Sequence, residues 1–125
     1  MKIANYTISS LCKTHMIKHA AKVGQNIKVR FELNEPAERT REAEAKTPTL
    51  SPLPDTNKEV GAEALWVCIT GVIEGDTVAD NVYTGYINND PVYINAKYQD
   101  EVEINQNEIT MILTEEGIIG PDGAH

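Results

Sequence analysis

The clearest hydrophobic pattern in the chain is the strict alternation between Asn26 and Asn34. Successive side chains of a β-strand point to opposite faces of the sheet, so this stretch predicts a strand with one buried and one wet face. The buried face would carry Ile27, Val29, Phe31 and Leu33.

A second, longer β-rich region covers residues 64–113. Short apolar or alternating segments at 65–70, 78–88, 92–94, 101–104 and 109–113 predict further strands. Turn chemistry separates them, with Glu74-Gly75-Asp76 after the first and Asn88-Asn89-Asp90-Pro91 after the second. Gly85, inside a predicted strand, indicates a close approach of a neighbouring backbone.

Residues 7–22 show helical rather than alternating periodicity. Thr7 is a suitable N-cap, and Gly24 follows the last turn, where a left-handed cap is favoured. These signals predict an N-terminal helix with one common stripe, formed by Ile8, Leu11, Cys12, His15 and His19.

The remaining segments lack regular periodicity. Residues 35–62 hold four of the six prolines and few large apolar side chains, which predicts a mobile loop. Residues 114–125 predict a loose tail. The whole chain of 125 residues therefore predicts a single α+β, mainly β domain. We expect a small curled antiparallel sheet or an SH3-like barrel of five to six strands, with one N-terminal helix.

Charge is distributed unevenly along this pattern. The first 30 residues carry +6 with no carboxylate, and the other 95 carry −14, which gives the net charge of −8. An acidic body of this size repels nucleic acid, so extended nucleic-acid binding is disfavoured. No apolar run approaches the length of about 20 residues that a membrane helix needs. Two widely spaced cysteines without a C-x-x-C motif favour reduced thiols in a cytoplasmic protein.

Carboxylates crowd the predicted turns and one strand face in the second half of the chain. Such a surface is suited to a basic protein partner, including an enzyme that acts on nucleic acid. A solvated strand face that prevents aggregation explains the same pattern equally simply. The sheet edges would also allow a homodimer. The candidate partner-binding residues are Asp90, Asp100, Glu101, Glu103 and Glu108.

Two other groups of residues suggest alternative chemistry. Lys18, Lys22 and Arg30 would form a site for a small, nucleotide-like anion if the basic helix lies beside the sheet. Cys12, His15 and His19, at offsets of three and seven, would share one helix face and could ligate zinc, although a core-facing stripe is the simpler interpretation. Phosphate loops, dinucleotide fingerprints and hydrolase elbows are absent, so we predict a non-enzymatic protein without cofactor or bound metal.

Residues 63–113 also resemble a known family. The segments E-A-L-W-V-C-I-T, Y-T-G-Y-I-N-N-D-P-V-Y-I, K-Y-Q-D-E-V-E-I and N-E-I-T-M-I are similar to the YegJ-like bacterial family of unknown function. Gln99 stands where that family has a hairpin glycine. Modules related to the family are associated with toxin–immunity systems, so the resemblance implies a protein-binding role. With the acidic surface, this predicts an immunity protein, or an inhibitor that a phage or mobile element would encode. The matching positions are Trp66, Val67, Gly85, Asn88 or Asn89, Pro91, Asp100, Val102 and Ile109.

Overall fold

A computed structural model describes residues 4–12, 14–38 and 59–120 of the chain. These residues form one antiparallel sheet of seven strands. Two short 3-10 helical turns lie at Val78–Asp80 and Gln106–Glu108. The strands are β1 Tyr6–Ile8, β2 Asn26–Glu38, β3 Glu59–Ile73, β4 Val82–Ile87, β5 Glu101–Asn105, β6 Ile109–Thr114 and β7 Gly117–Ile119.

The strand order makes the sheet open. It runs β5-β4-β3-β2-β6-β7, and β1 pairs with β2 beyond the stretch that β6 occupies. β5 and β7 lie at opposite ends and do not pair with each other, so the prediction of an SH3-like barrel is wrong. The prediction of a mainly antiparallel β structure agrees with this sheet, but five to six strands were predicted and the sheet has seven.

The hydrophobic core lies on one face of this sheet. The alternation in β2 places Ile27, Val29 and Phe31 in the core, as predicted, and β3 contributes its own alternating set. No second sheet covers this face in the described chain; the connection before β2 and the one between β4 and β5 do so instead. These connections bury Met16, Ile17, Ala21 and Ile94.

A buried polar network holds the first of these connections against the sheet. The Tyr83 hydroxyl donates to Gln106 Oε1 and accepts hydrogen bonds from the Ala21 amide and the Asn81 side chain. Gln106 Nε2 donates to the carbonyl oxygens of Ile17 and His19, at 2.9 and 3.1 Å. Since buried polar groups are costly without partners, this network fixes where residues 16–21 cross the core.

The predicted helix over residues 7–22 is wrong. The described residues contain no α-helix, and no helix among them is long and apolar enough to cross a membrane. Thr7 lies in β1, paired with Glu32 of β2. A single turn at Cys12 follows, in which the amides of His15 and Met16 donate to the Cys12 carbonyl at 3.0 Å. Gly24 has φ of 92°, so the left-handed position was predicted correctly although no helix precedes it.

Two other predicted segments are shorter than expected. Both ends of the predicted loop at residues 35–62 belong to strands, because β2 runs to Glu38 and β3 starts at Glu59. The predicted loose tail at 114–125 contains β7, which pairs with β6 through Ile118 and Ile119. The parts of these two predictions at residues 39–58 and 121–125 lie outside the described residues.

The turn before β5 has an unusual backbone conformation at Gln99. Its φ is 73°, in the left-handed region that disfavours side chains with a Cβ atom. Gln99 is exposed, and its contact there is a backbone hydrogen bond from its amide to the Ile87 carbonyl. This is the position at which the YegJ-like resemblance expects glycine.

Gln99→Gly should therefore raise the free energy of unfolding by about 0.5–1 kcal/mol. The left-handed conformation costs an L-residue about 1–2 kcal/mol, and part of that gain is lost to the greater freedom of glycine in the unfolded chain. Urea denaturation measures the difference. The control is Gly24→Ala, at φ of 92° and with open space around the added Cβ atom, which should change stability in the opposite direction. If both substitutions changed the free energy of unfolding in the same direction, this explanation would be contradicted.

Candidate functional site

β5 presents carboxylates along one end of the sheet. Val102 packs against the core and Ile104 is buried in it, so the alternating residues Glu101 and Glu103 point to the opposite face, where both are exposed. The register on β4 places Glu101 beside Tyr86 and Glu103 beside Thr84. Two residues along a strand are about 7 Å apart, so these two carboxylates form a closely spaced acidic pair.

The acidic pair has no described basic neighbour. No Lys or Arg side chain of residues 4–12, 14–38 and 59–120 forms an ion pair with Asp100, Glu101 or Glu103. Asp100, the residue just before β5, accepts a hydrogen bond from the Lys97 backbone amide at 2.9 Å, and its side chain stays exposed. Within the part of the chain that the structure describes, the carboxylates of this surface are therefore exposed and form no ion pair.

Further carboxylates meet the other end of β5, and sequence reasoning missed them. Asn105, the last residue of β5, lies opposite Val82, and the Gln106 amide donates to the Asn81 carbonyl at 3.1 Å. The exposed hairpin between β3 and β4 is therefore close to the end of β5. It carries Glu74, Asp76 and Asp80. The sequence marks this stretch as an acidic turn, but only the β4–β5 register places it next to the predicted site.

The other two predicted partner-binding residues lie in different surroundings from the acidic pair. Asp90 lies in the segment that continues past β4 alongside β3, next to Asn89, whose side chain accepts a hydrogen bond from the Trp66 amide. Glu108 accepts a hydrogen bond from the Asn105 amide at 2.7 Å and completes a capping box. Burial raises the pKa of Glu108, and the nearby charge of Glu103 adds to this rise, so Glu108 lies close to Glu103 but is held half-buried in the capping box.

The structure does not bring the predicted anion-binding residues together. Arg30 lies on the sheet face away from the core and pairs with Glu32 at 3.6 Å. Lys18 and Lys22 are exposed on the connection that covers the core face. Lys22 lines an open groove of 1070 Å³ that also contains Glu115 and Glu116, whose charge opposes the binding of an anion.

Of the three candidate zinc ligands, the structure joins only two. Cys12 Sγ lies 2.7 Å from His15 Nδ1 in the turn that replaces the predicted helix. His19 lies four residues further along the chain, and its backbone carbonyl accepts a hydrogen bond from Gln106 Nε2. No group of three His, Cys, Asp or Glu side chains in the described residues has a geometry that could hold a metal ion.

Comparison of the chain with protein-family models, with curated proteins and with solved structures found no match. The YegJ-like resemblance therefore stays a prediction from the residues quoted for it.

Proposed function

We propose that this protein is a non-enzymatic binding module that docks a basic protein through the acidic edge, defined as β5 with Asp100, Glu101 and Glu103. The observation that carries the proposal is the combination of an end strand with exposed carboxylates that no described cation neutralises. Asp90 and Glu108 are not included in the acidic edge.

An end strand of this composition favours a partner of opposite charge. Among the described residues, the backbone of β5 is paired with β4 on one side only, which leaves its other side able to bond an extended segment. Carboxylates at this edge repel a second copy of the same strand and attract Lys or Arg side chains. A homodimer through β5 is therefore disfavoured, and binding of a basic segment is favoured.

The partner class follows from the same charge. Proteins that act on nucleic acids expose basic surfaces that recognise closely spaced phosphates. The acidic edge offers closely spaced carboxylates to such a surface and would block access of nucleic acid to it. We therefore assign an immunity-like or inhibitory role, in the cytoplasm, against a basic or nucleic-acid-acting protein.

Charge reversal of the acidic edge should abolish the interaction selectively. For the double variant Glu101→Lys/Glu103→Lys, we expect at least about ten-fold weaker binding to the partner, because like charges would then face each other. The partner is first isolated on the immobilised wild-type protein at low salt and released at high salt. Its Kd for each variant is then measured by calorimetry.

The matched control is Glu115→Lys/Glu116→Lys. This pair makes the same change in net charge at the β6–β7 turn, at the opposite end of the strand order, and both residues are exposed. The control should retain most of the affinity. If both double variants weaken binding equally, net charge rather than the acidic edge is responsible, and the proposal fails.

A further inference from the structure

The turn at Cys12 holds a cysteine and a histidine together at the protein surface. The amide of Leu11, just before it, donates to the Asn107 carbonyl at 2.7 Å, and Met16 and Ile17, just after it, are buried. Both ends of the turn are thus anchored, while the Cys12 side chain remains exposed. The contact between Cys12 and His15 is therefore a property of the fold rather than of a free terminal segment.

The groups around the sulfur are suited to a thiolate. Cys12 Sγ lies 2.7 Å from His15 Nδ1 and 3.3 Å from Thr14 Oγ1. A thiolate can only accept hydrogen bonds, so both neighbours would act as donors to it. The hydrogen bond with His15, followed by that with Thr14, lowers the pKa of Cys12 to about 7. A larger fraction of Cys12 is therefore in the thiolate form at neutral pH than of an ordinary exposed thiol.

The second cysteine lacks this environment. Cys68 is partly buried on β3, where it lies opposite Tyr86 of β4. The pKa of Tyr86 is raised, chiefly by its hydrogen bond with Cys68. Among the described residues, no histidine hydrogen-bonds Cys68. The chain therefore provides its own comparison between a surface thiol paired with imidazole and a half-buried thiol without such a partner.

We propose that Cys12 is a modification site that forms mixed disulfides with small-molecule disulfides, and that His15 is the residue that keeps it in the reactive thiolate form. The Cys12 sulfur attacks one sulfur of the small disulfide. A new S–S bond forms as the old one breaks, and the leaving sulfur departs as a thiolate with the electron pair. The small disulfide is itself the oxidant, so the exchange needs no other reagent. This inference is independent of the proposed protein-binding function.

The test measures thiol–disulfide exchange at each cysteine separately. Cys68→Ser leaves only Cys12, and Cys12→Ser leaves only Cys68. Each folded variant reacts with dithiodipyridine, an uncharged disulfide whose released thiopyridone is followed by absorbance. We expect the rate for Cys12 to reach half its maximum near pH 7, and that for Cys68 to be slower at neutral pH.

Substitution of His15 identifies the cause of the reactivity. In the Cys68→Ser background, His15→Ala should move the half-maximal rate towards pH 8.5 and slow the reaction at pH 6 by about five-fold, from the balance of thiolate fraction and nucleophilicity. The matched control, His19→Ala, removes an exposed histidine that is not bonded to Cys12 and should change neither value. Thr14→Val should give a smaller shift in the same direction as His15→Ala.

Two kinetic results would overturn the proposal. One is a half-maximal rate for Cys12 above pH 8 in the protein with intact His15, and the other is the same profile for His15→Ala and His19→Ala. Oxidised glutathione then provides the chemical confirmation. Mass spectrometry of the wild-type protein should find glutathione attached at Cys12, whereas attachment only at Cys68 would also contradict the proposal.

Discussion

Replacing Gly85 by alanine should lower the free energy of unfolding by about 3 kcal/mol, at the upper end of the cost of overpacking a core. A Cβ atom at this position would lie 2.3 Å from the Cys68 carbonyl oxygen and 2.9 Å from Val67 Cγ1. The first contact is with backbone, which cannot rotate away as a side chain can. Strands β3 and β4 would have to separate at the pair formed by Gly85 and Ile69.

The matched control for this substitution is Gly61→Ala. Gly61 lies in β3, the strand that pairs with β4, but no described atom stands within 4 Å of a Cβ atom built there. Its replacement should change stability by less than about 1 kcal/mol, since alanine is also less costly to order than glycine. Urea denaturation of the two variants measures both values. Similar losses at the two positions would exclude the close β3–β4 approach as the cause.

Gln106→Leu should cost about 3 kcal/mol of stability, because it leaves several buried polar groups without partners. Gln106 is fully buried, and its amide bonds the carbonyl oxygens of Ile17 and His19 as well as the Tyr83 hydroxyl. Leucine has a similar volume, so packing is largely retained and the loss reports mainly on the hydrogen bonds. Urea denaturation gives the total loss, and amide hydrogen exchange should reveal reduced protection around residues 16–21.

A double-mutant cycle with Tyr83→Phe distinguishes a network from separate bonds. Tyr83→Phe removes the hydroxyl that Gln106, Ala21 and Asn81 share, and keeps the ring in the core. If the network acts as a unit, the double variant should lose clearly less than the sum of the two single losses. Additive losses would mean that Gln106 and Tyr83 stabilise the fold independently.

The sequence predicted correctly those elements whose structure is determined by the pattern of neighbouring residues. In β2, alternation fixes which side chains must be buried together, and Ile27, Val29 and Phe31 lie in the core as expected. Gly85 was predicted to allow a close backbone approach, and the short distances from its Cβ position to β3 confirm it. Each of these predictions needs only the geometry of a strand and the cost of exposing apolar surface.

The predicted N-terminal helix failed for a non-local reason. Residues 7–22 have helical spacing, but β1 gains hydrogen bonds with β2, and Gln106 and Tyr83 supply partners for the backbone of residues 17–21. A helix satisfies its own backbone, whereas the backbone of residues 17–21 is hydrogen-bonded by side chains more than 60 positions away in the sequence. Its real anchors in the core, Met16, Ile17 and Ala21, were not in the predicted stripe.

The candidate sites divide in the same way. The contact between Cys12 and His15 needs only a spacing of three residues within one turn, so the sequence alone could suggest this pair. The predicted zinc site that included the pair is not supported by the described residues. The acidic edge depends on which strand lies at the end of the sheet and on the β4–β5 register. These determined that Glu101 and Glu103 are exposed on the same face, while Glu108 is held in the capping box at the end of β5.

The sequence by itself determined the separation of charge along the chain and the burial pattern of β2, because both are properties of neighbouring residues. Only the tertiary structure decided that the sheet stays open, that a connection rather than a helix covers the core, and which carboxylates share an edge. The physical reason is that strand pairing and buried hydrogen bonds join residues far apart in sequence. Their free energy overrides the weaker local preference of a segment such as residues 7–22.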